Sequence, residues 1–136
     1  MGQRESTVRL RVRYSETDQM GTYCNSRVLE WFECGRTEFL RSVGIPYAEM
    51  EGRGVFLPLV EAHVNYLGRA RYDDELLVTT TTAAHGKARV RFDVRIVHAT
   101  DGGDVAGGYT VHAITDSSGR PVRRPSWLAE ALHQDT

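Results

Sequence analysis

The segment Tyr14-Ser15-Glu16-Thr17-Asp18-Gln19-Met20-Gly21 holds the residues best placed to do chemistry. Asp18 falls at the end of an expected strand and shortly before Gly21. The chain that follows, from about 26 to 43, has the pattern of a long amphipathic helix. A carboxylate facing the N-terminus of a helix suits acyl chemistry. The first N–H groups of the helix donate to a developing oxyanion, while the carboxylate activates a water or attacks a carbonyl itself. The competing reading is structural, because Asp ahead of a glycine turn commonly caps that turn. Asn25 carries a similar ambiguity: it reads as an N-cap, and its side chain is also placed to orient a water or an acyl carbonyl. Glu16 and Thr17 read as turn-stabilising. Cys24 is the rival nucleophile, since a thiol at a helix N-terminus has a lowered pKa. It would need a histidine partner, and none of His63, His85, His98, His112 or His133 is placed near it by sequence. A small apolar filler is the simpler role for Cys24. The histidines show no metal-ligand spacing, and no metal or other cofactor is expected.

These residues need elements to hold them. Val8, Leu10, Val12 and Tyr14 alternate with Arg9, Arg11 and Arg13, which predicts a half-buried strand over 7–14. Val28, Phe32, Gly35, Phe39 and Val43 recur at helical spacing, and Gly44 followed by Pro46 ends that helix. Four further strands are expected over 56–66, 76–84, 87–99 and 105–116, separated by His85-Gly86, Asp101-Gly102-Gly103 and Ser117-Ser118-Gly119. The clearest alternation sets Ala88, Val90, Phe92, Val94 and Ile96 against Lys87, Arg89, Arg91, Asp93 and Arg95. A short terminal helix is expected over 127–133, with Ser126 as its cap. The order strand, long helix, four strands, helix predicts an α+β protein: an antiparallel sheet of about five strands wrapped around one long central helix.

Composition narrows the functional classes. The 136 residues suit a single domain over 1–136. The 17 basic and 18 acidic residues give a net charge of −1, which argues against a general nucleic-acid partner or stable membrane association. There is no apolar run long enough for a membrane span and no signal-peptide core, so the expected location is the cytoplasm. Cys24 and Cys34 would lie about 15 Å apart on one helix, too far for a disulfide.

Tyr14-x-Glu16-Thr17-Asp18-x-x-Gly21, Trp31-Phe32-Glu33, Arg36-Thr37-Glu38, and Val64-x-Tyr66 through Ala70-Arg71-Tyr72-Asp73-Asp74-Glu75-Leu76 together resemble the hotdog-fold acyl-CoA thioesterases of the 4-hydroxybenzoyl-CoA type. The resemblance implies hydrolysis of an acyl-CoA or aroyl-CoA thioester to the free acid and coenzyme A. It places Asp18 as catalytic carboxylate, a backbone N–H near Asn25 on the thioester carbonyl, and Gly21 as part of the catalytic motif. It also implies homodimers, commonly paired into homotetramers, with active sites at the subunit interface and coenzyme A lying across it. In that setting Lys87, Arg89, His85 and Gly86 would border the coenzyme A nucleotide and pantetheine arm, and Phe56, Leu57 and Pro58 would line the acyl pocket. The plainer readings are a solvated strand face for the first group and core or dimer packing for the second. Two positions depart from the family pattern: Cys24-Asn25 stand where many bacterial members have Tyr-His, and Arg69 where proline is frequent. The missing histidine motivates a second reading, a non-catalytic acyl-CoA or acyl-carrier-protein binding module.

Overall fold

A computed structural model of the chain describes residues 4–133. Its strands are β1 (Glu5–Arg11), β2 (Leu59–Tyr66), β3 (Glu75–Ala84), β4 (Arg89–His98) and β5 (Asp104–Ala113), and its helices α1 (Val28–Ser42), α2 (Tyr47–Gly52) and α3 (Ser126–His133). The strands form one antiparallel sheet in the order β1-β3-β4-β5-β2. The expected hotdog arrangement is present: the sheet curls around α1, which packs mainly on β1 and β3.

Helix α1 buries Val28, Trp31, Phe32, Gly35, Phe39 and Leu40. Gly35 is the point of closest approach. A Cβ there would lie 2.6 Å from Thr80 Oγ1 and 2.7 Å from Val78 Cγ1, so only glycine lets the helix settle on β3. Gly44, with φ of +89°, stops the helix. The N–H groups of Gly44 and Ile45 return to the carbonyls of Arg41 and Leu40, which closes a Schellman motif. Strand β4 follows its sequence pattern, with Val90, Phe92, Val94 and Ile96 all buried. Two apolar clusters result. One surrounds the first half of α1 with Val12, Trp31, Phe32, Leu76 and Ile96, and the other surrounds its second half with Phe39, Met50, Phe92, Ile114 and Leu128.

Strands β1, β2, β4 and β5 are each shorter than their patterns predict, and the first two of these differences bear on the site. β1 ends at Arg11, and Tyr14–Glu16 forms a 3-10 turn that leaves Tyr14 78% exposed rather than on the buried face. β2 begins at Leu59, while Phe56 makes an isolated bridge with Thr115. Pro58, which has no N–H to give to a ladder, sits at that break. β2 is an edge strand, and Leu59, Val60 and Tyr66 on it, with Leu67 beyond, are about half exposed.

Candidate active site

Asp18 is not at the end of β1. After the 3-10 turn the chain makes a tight hairpin closed by the Thr17–Tyr23 bridge, and Asp18 occupies its tip. The Asp18 N–H donates to the Thr22 carbonyl (2.9 Å), the Gly21 N–H to the Asp18 carbonyl (3.1 Å), and the Met20 N–H to Asp18 Oδ1 (2.8 Å). Gly21 takes φ of +81°, which favours glycine there. Asp18 therefore does cap its turn, and its carboxylate is exposed and fixed in direction by that same bond.

The hairpin is held by a buried acid. Glu16 is 3% exposed and accepts from the Arg13 N–H (2.7 Å), Trp31 Nε1 (3.1 Å) and Arg13 Nη2 (3.3 Å). Its own carbonyl accepts the Cys24 N–H at 2.7 Å. Glu16 thus joins β1's exit, the hairpin and the first turn of α1. Its expected role in stabilising the turn holds, and so does that of Thr17, whose hydroxyl donates to the Tyr14 carbonyl. A second loop supports the hairpin from outside: the Tyr23 N–H and Thr22 hydroxyl both donate to the Ala70 carbonyl, and the Tyr23 hydroxyl to that of Gly68.

Directly after the hairpin, Asn25–Arg27 forms a 3-10 turn that runs into α1. The Arg27 N–H bonds to the Cys24 carbonyl, so Asn25 and Ser26 carry the N–H groups that a helix start leaves without an intrahelical acceptor. Asn25 is not the N-cap; Cys24 holds that position, and no side chain caps the turn. Asn25 is exposed, and its carbonyl accepts the Tyr66 hydroxyl at 3.2 Å. Tyr66 thereby adjoins Asn25, a contact that the strand pattern alone did not reveal. Its presence in the Val64-x-Tyr66 block was the available signal. Asp18 lines a cavity of about 530 Å³ with Tyr14, Thr17, Gln19, Gly21 and Tyr72, whereas Asn25 lines a separate one of about 220 Å³ with Tyr66, Tyr23 and Met20. The two flank the same hairpin turn. Cys24 is partly buried; His63, His98 and His112 bond instead to Asn65, to the Arg69 carbonyl, and to the Leu57 carbonyl and Thr110.

The remaining predicted site residues lie elsewhere. His85, Gly86, Lys87 and Arg89 are exposed at the β3–β4 hairpin, where Arg124 Nη1 donates to the Gly86 and Arg89 carbonyls. Phe56, Leu57 and Pro58 line a cavity of about 400 Å³ with Tyr47 and Thr115. Asp18 lies toward the end of the sheet where β3 starts and these groups lie toward the opposite end, with Phe56–Pro58 also across the sheet at its β2 edge. The length of a strand, roughly 30 Å, or more separates them. One protomer does not bring them together. Near Leu57, the buried His112 donates from Nδ1 to the Leu57 carbonyl (3.0 Å), because a carbonyl can only accept, and Nε2 accepts from the Thr110 hydroxyl (3.0 Å). Burial, reinforced by the nearby Arg36 charge, pushes the His112 pKa down to about 4. Among the described residues no cluster of three or more His, Cys, Asp or Glu could hold a metal ion.

Comparison with known proteins gives a family, a relative and two structural neighbours. Residues 12–132 match the model of the thioesterase-like superfamily. The chain is 38% identical over 71 residues to the putative acyl-CoA thioesterase YneP of Bacillus subtilis, a match covering 52% of this chain and 51% of that protein, so the chain spans about half the length of this relative. The fold superposes with a TM-score of 0.86 on a hypothetical protein, TT1821, from Thermus thermophilus (35% identity, 95% of each chain covered). With a TM-score of 0.84 it also superposes on the DHNA-CoA thioesterase of Staphylococcus aureus (27% identity, 93% of this chain and 87% of that one).

Proposed function

This chain belongs to the thioesterase-like superfamily, and from that membership we propose that it hydrolyses an acyl-CoA or aroyl-CoA thioester to the free acid and coenzyme A. The observation that carries the reading is the hairpin itself. It holds the exposed Asp18 carboxylate only a few residues ahead of the helix start at Asn25 and Ser26, on a scaffold tied to α1 through Glu16 and Trp31. In the proposed reaction Asp18 adds to the thioester carbonyl carbon to give a mixed anhydride that water then hydrolyses, or it takes a proton from the water that adds directly. Either route places negative charge on the carbonyl oxygen. The N–H groups of Asn25 and Ser26, aligned with the α1 dipole, are the donors for it. Coenzyme A leaves as the thiol.

The same reading gives the chain a partner, a second copy of itself. β2 offers an exposed edge with apolar side chains, a surface that monomeric proteins usually blunt. Antiparallel pairing of two β2 strands about a twofold axis sets the Leu59 end of one copy beside the Tyr66 end of the other. That pairing would bring the partner's Phe56, Leu57 and Pro58 toward this copy's Asn25 and Tyr66, which accounts for predicted site residues that one protomer keeps apart. Lys87 and Arg89 of the partner would then be cations available to the coenzyme A phosphates. Pairing of dimers into a tetramer belongs to the same proposal.

The test is a thiol-release assay of the purified protein against short-chain, long-chain and aromatic CoA esters. Release of free thiol from at least one class supports the reading. Binding of coenzyme A esters with no release from any class would leave a non-catalytic binding module.

A further inference from the structure

We propose that Tyr14 and Tyr72 form an aromatic clamp beside Asp18 that makes the preferred substrate an aroyl thioester, with a flat ring next to the reacting carbonyl. The inference rests on the thioesterase reading and narrows its substrate class.

Tyr14 and Tyr72 are 78% and 59% exposed, and both line the cavity that holds Asp18. Their ring centroids are 5.8 Å apart with planes at 88°, an edge-to-face pair. Two large aromatic side chains left this open forgo the burial that normally stabilises them. Their positions are nevertheless set by backbone. Tyr14 begins the 3-10 turn that Glu16 anchors. Tyr72 sits in a turn fastened to the exit of β1: the Asp73 N–H donates to the Val12 carbonyl (2.8 Å), the Val12 N–H to the Asp74 carbonyl (3.0 Å), and Arg11 Nη1 to the Asp73 carbonyl (2.9 Å). Within that turn the Arg71 N–H is capped by Asp74 Oδ2 at 2.8 Å. Asp73 takes φ of +71°, a left-handed turn conformation that Asp tolerates better than most residues. The turn therefore presents Tyr72 to Tyr14 in a fixed position.

An edge-to-face pair offers a third ring both a face and an edge, an interaction beyond area that a saturated chain does not gain. The ring that fits is that of the acyl group. Asp18 lines this cavity, so the acyl group of a thioester at Asp18 meets the two rings on one side of the turn and the partner's Phe56, Leu57 and Pro58 on the Asn25 side. The adenine of coenzyme A lies a full pantetheine arm away.

The experiment measures kcat/KM for benzoyl-CoA and hexanoyl-CoA with wild type, Tyr72→Phe, and the double variant Tyr14→Leu/Tyr72→Leu, which keeps apolar bulk and removes both rings. The expected result is that the benzoyl-to-hexanoyl ratio falls about tenfold in the double variant and stays within about twofold of wild type in Tyr72→Phe. An unchanged ratio overturns the proposal. So does an equal loss for both CoA esters that vanishes with the corresponding N-acetylcysteamine thioesters, which would assign the rings to adenine. Should wild type release thiol from neither ester, the thioesterase reading fails. The clamp is then judged by calorimetry, where the same fall in the ratio of the two esters' affinities supports it and an unchanged ratio overturns it.

Discussion

His112 makes the stability of this protein depend on pH in a way that can be worked out in advance. The imidazole is 1% exposed, and its neutral form donates to the Leu57 carbonyl and accepts from Thr110. A proton added at Nε2 would place a charge in the buried core, near the Arg36 guanidinium, which is why the pKa falls to about 4 from the ordinary value of 6.5. The folded state therefore binds this proton less readily than the unfolded chain. The stabilisation is intact above about pH 6.5 and drains away as pH falls toward 4. Integrated over that window, about 2 kcal/mol is lost by pH 5 and about 3 kcal/mol by pH 4. The Ser118 hydroxyl chiefly holds the Asp116 carboxyl below the usual carboxylate range, which adds its own loss at still lower pH, so the comparison has to be between variants. Urea denaturation of wild type and His112→Asn at pH 7, 6, 5 and 4.5 isolates the term. Asn keeps an amide donor near the Nδ1 position and cannot titrate. We expect the variant to be less stable at pH 7 and the gap to shrink by about 2 kcal/mol at pH 5. Parallel pH profiles, with a gap constant to within about 0.5 kcal/mol, would refute the reasoning.

Three further outcomes follow from the same structure. Glu16→Ala leaves the buried Trp31 Nε1 without its acceptor and should cost about 3 kcal/mol, a fall in Tm of about 10 °C for a chain of this size; a Tm unchanged by thermal denaturation would contradict the anchoring role. Cys24→Ala should keep kcat within about threefold of wild type, since the thiol has no histidine bonded to it among the described residues; loss as large as that from an Asp18 substitution would make Cys24 the nucleophile. Val60→Lys, a charge on the exposed edge of β2, should shift the protein from dimer to monomer in light scattering, and an unchanged mass would place the subunit contact elsewhere.

Much of the architecture was legible because its signals are local. The alternation of Val90, Phe92, Val94 and Ile96 marks a strand with one buried face. The spacing of Val28, Phe32 and Phe39, with Gly44 to stop it, marks α1. The misreadings arose where a local pattern runs past the forces that end it. Tyr14 continues the alternation of β1, yet Glu16 turns back to bond the Arg13 N–H and Trp31, and that long-range acceptor breaks the strand. Phe56 continues the pattern of β2, and Pro58 interrupts its ladder. At the candidate site, residue type and position singled out Asp18, but its Asx bond to Met20 and the Tyr66–Asn25 bond could not be read from them. The distance between Asp18 and the Phe56–Pro58 and Lys87–Arg89 groups was invisible for a deeper reason. Sequence neighbours on β3 and β4 sit at one end of the sheet or the other according to strand register, and motif spacing carries no information about that.

The central claim is that the Asp18 carboxylate performs the chemistry. Asp18→Asn is a clean perturbation, because the amide oxygen can still accept the Met20 N–H and hold the turn. The measurement is single-turnover thiol release by this variant and by wild type from the best CoA ester, alongside the Tm of each. The expected result is an unchanged Tm and a rate lower by about a thousandfold or more, equivalent to at least about 4 kcal/mol of lost transition-state stabilisation. A folded Asp18→Asn protein that releases thiol at the wild-type rate would contradict it.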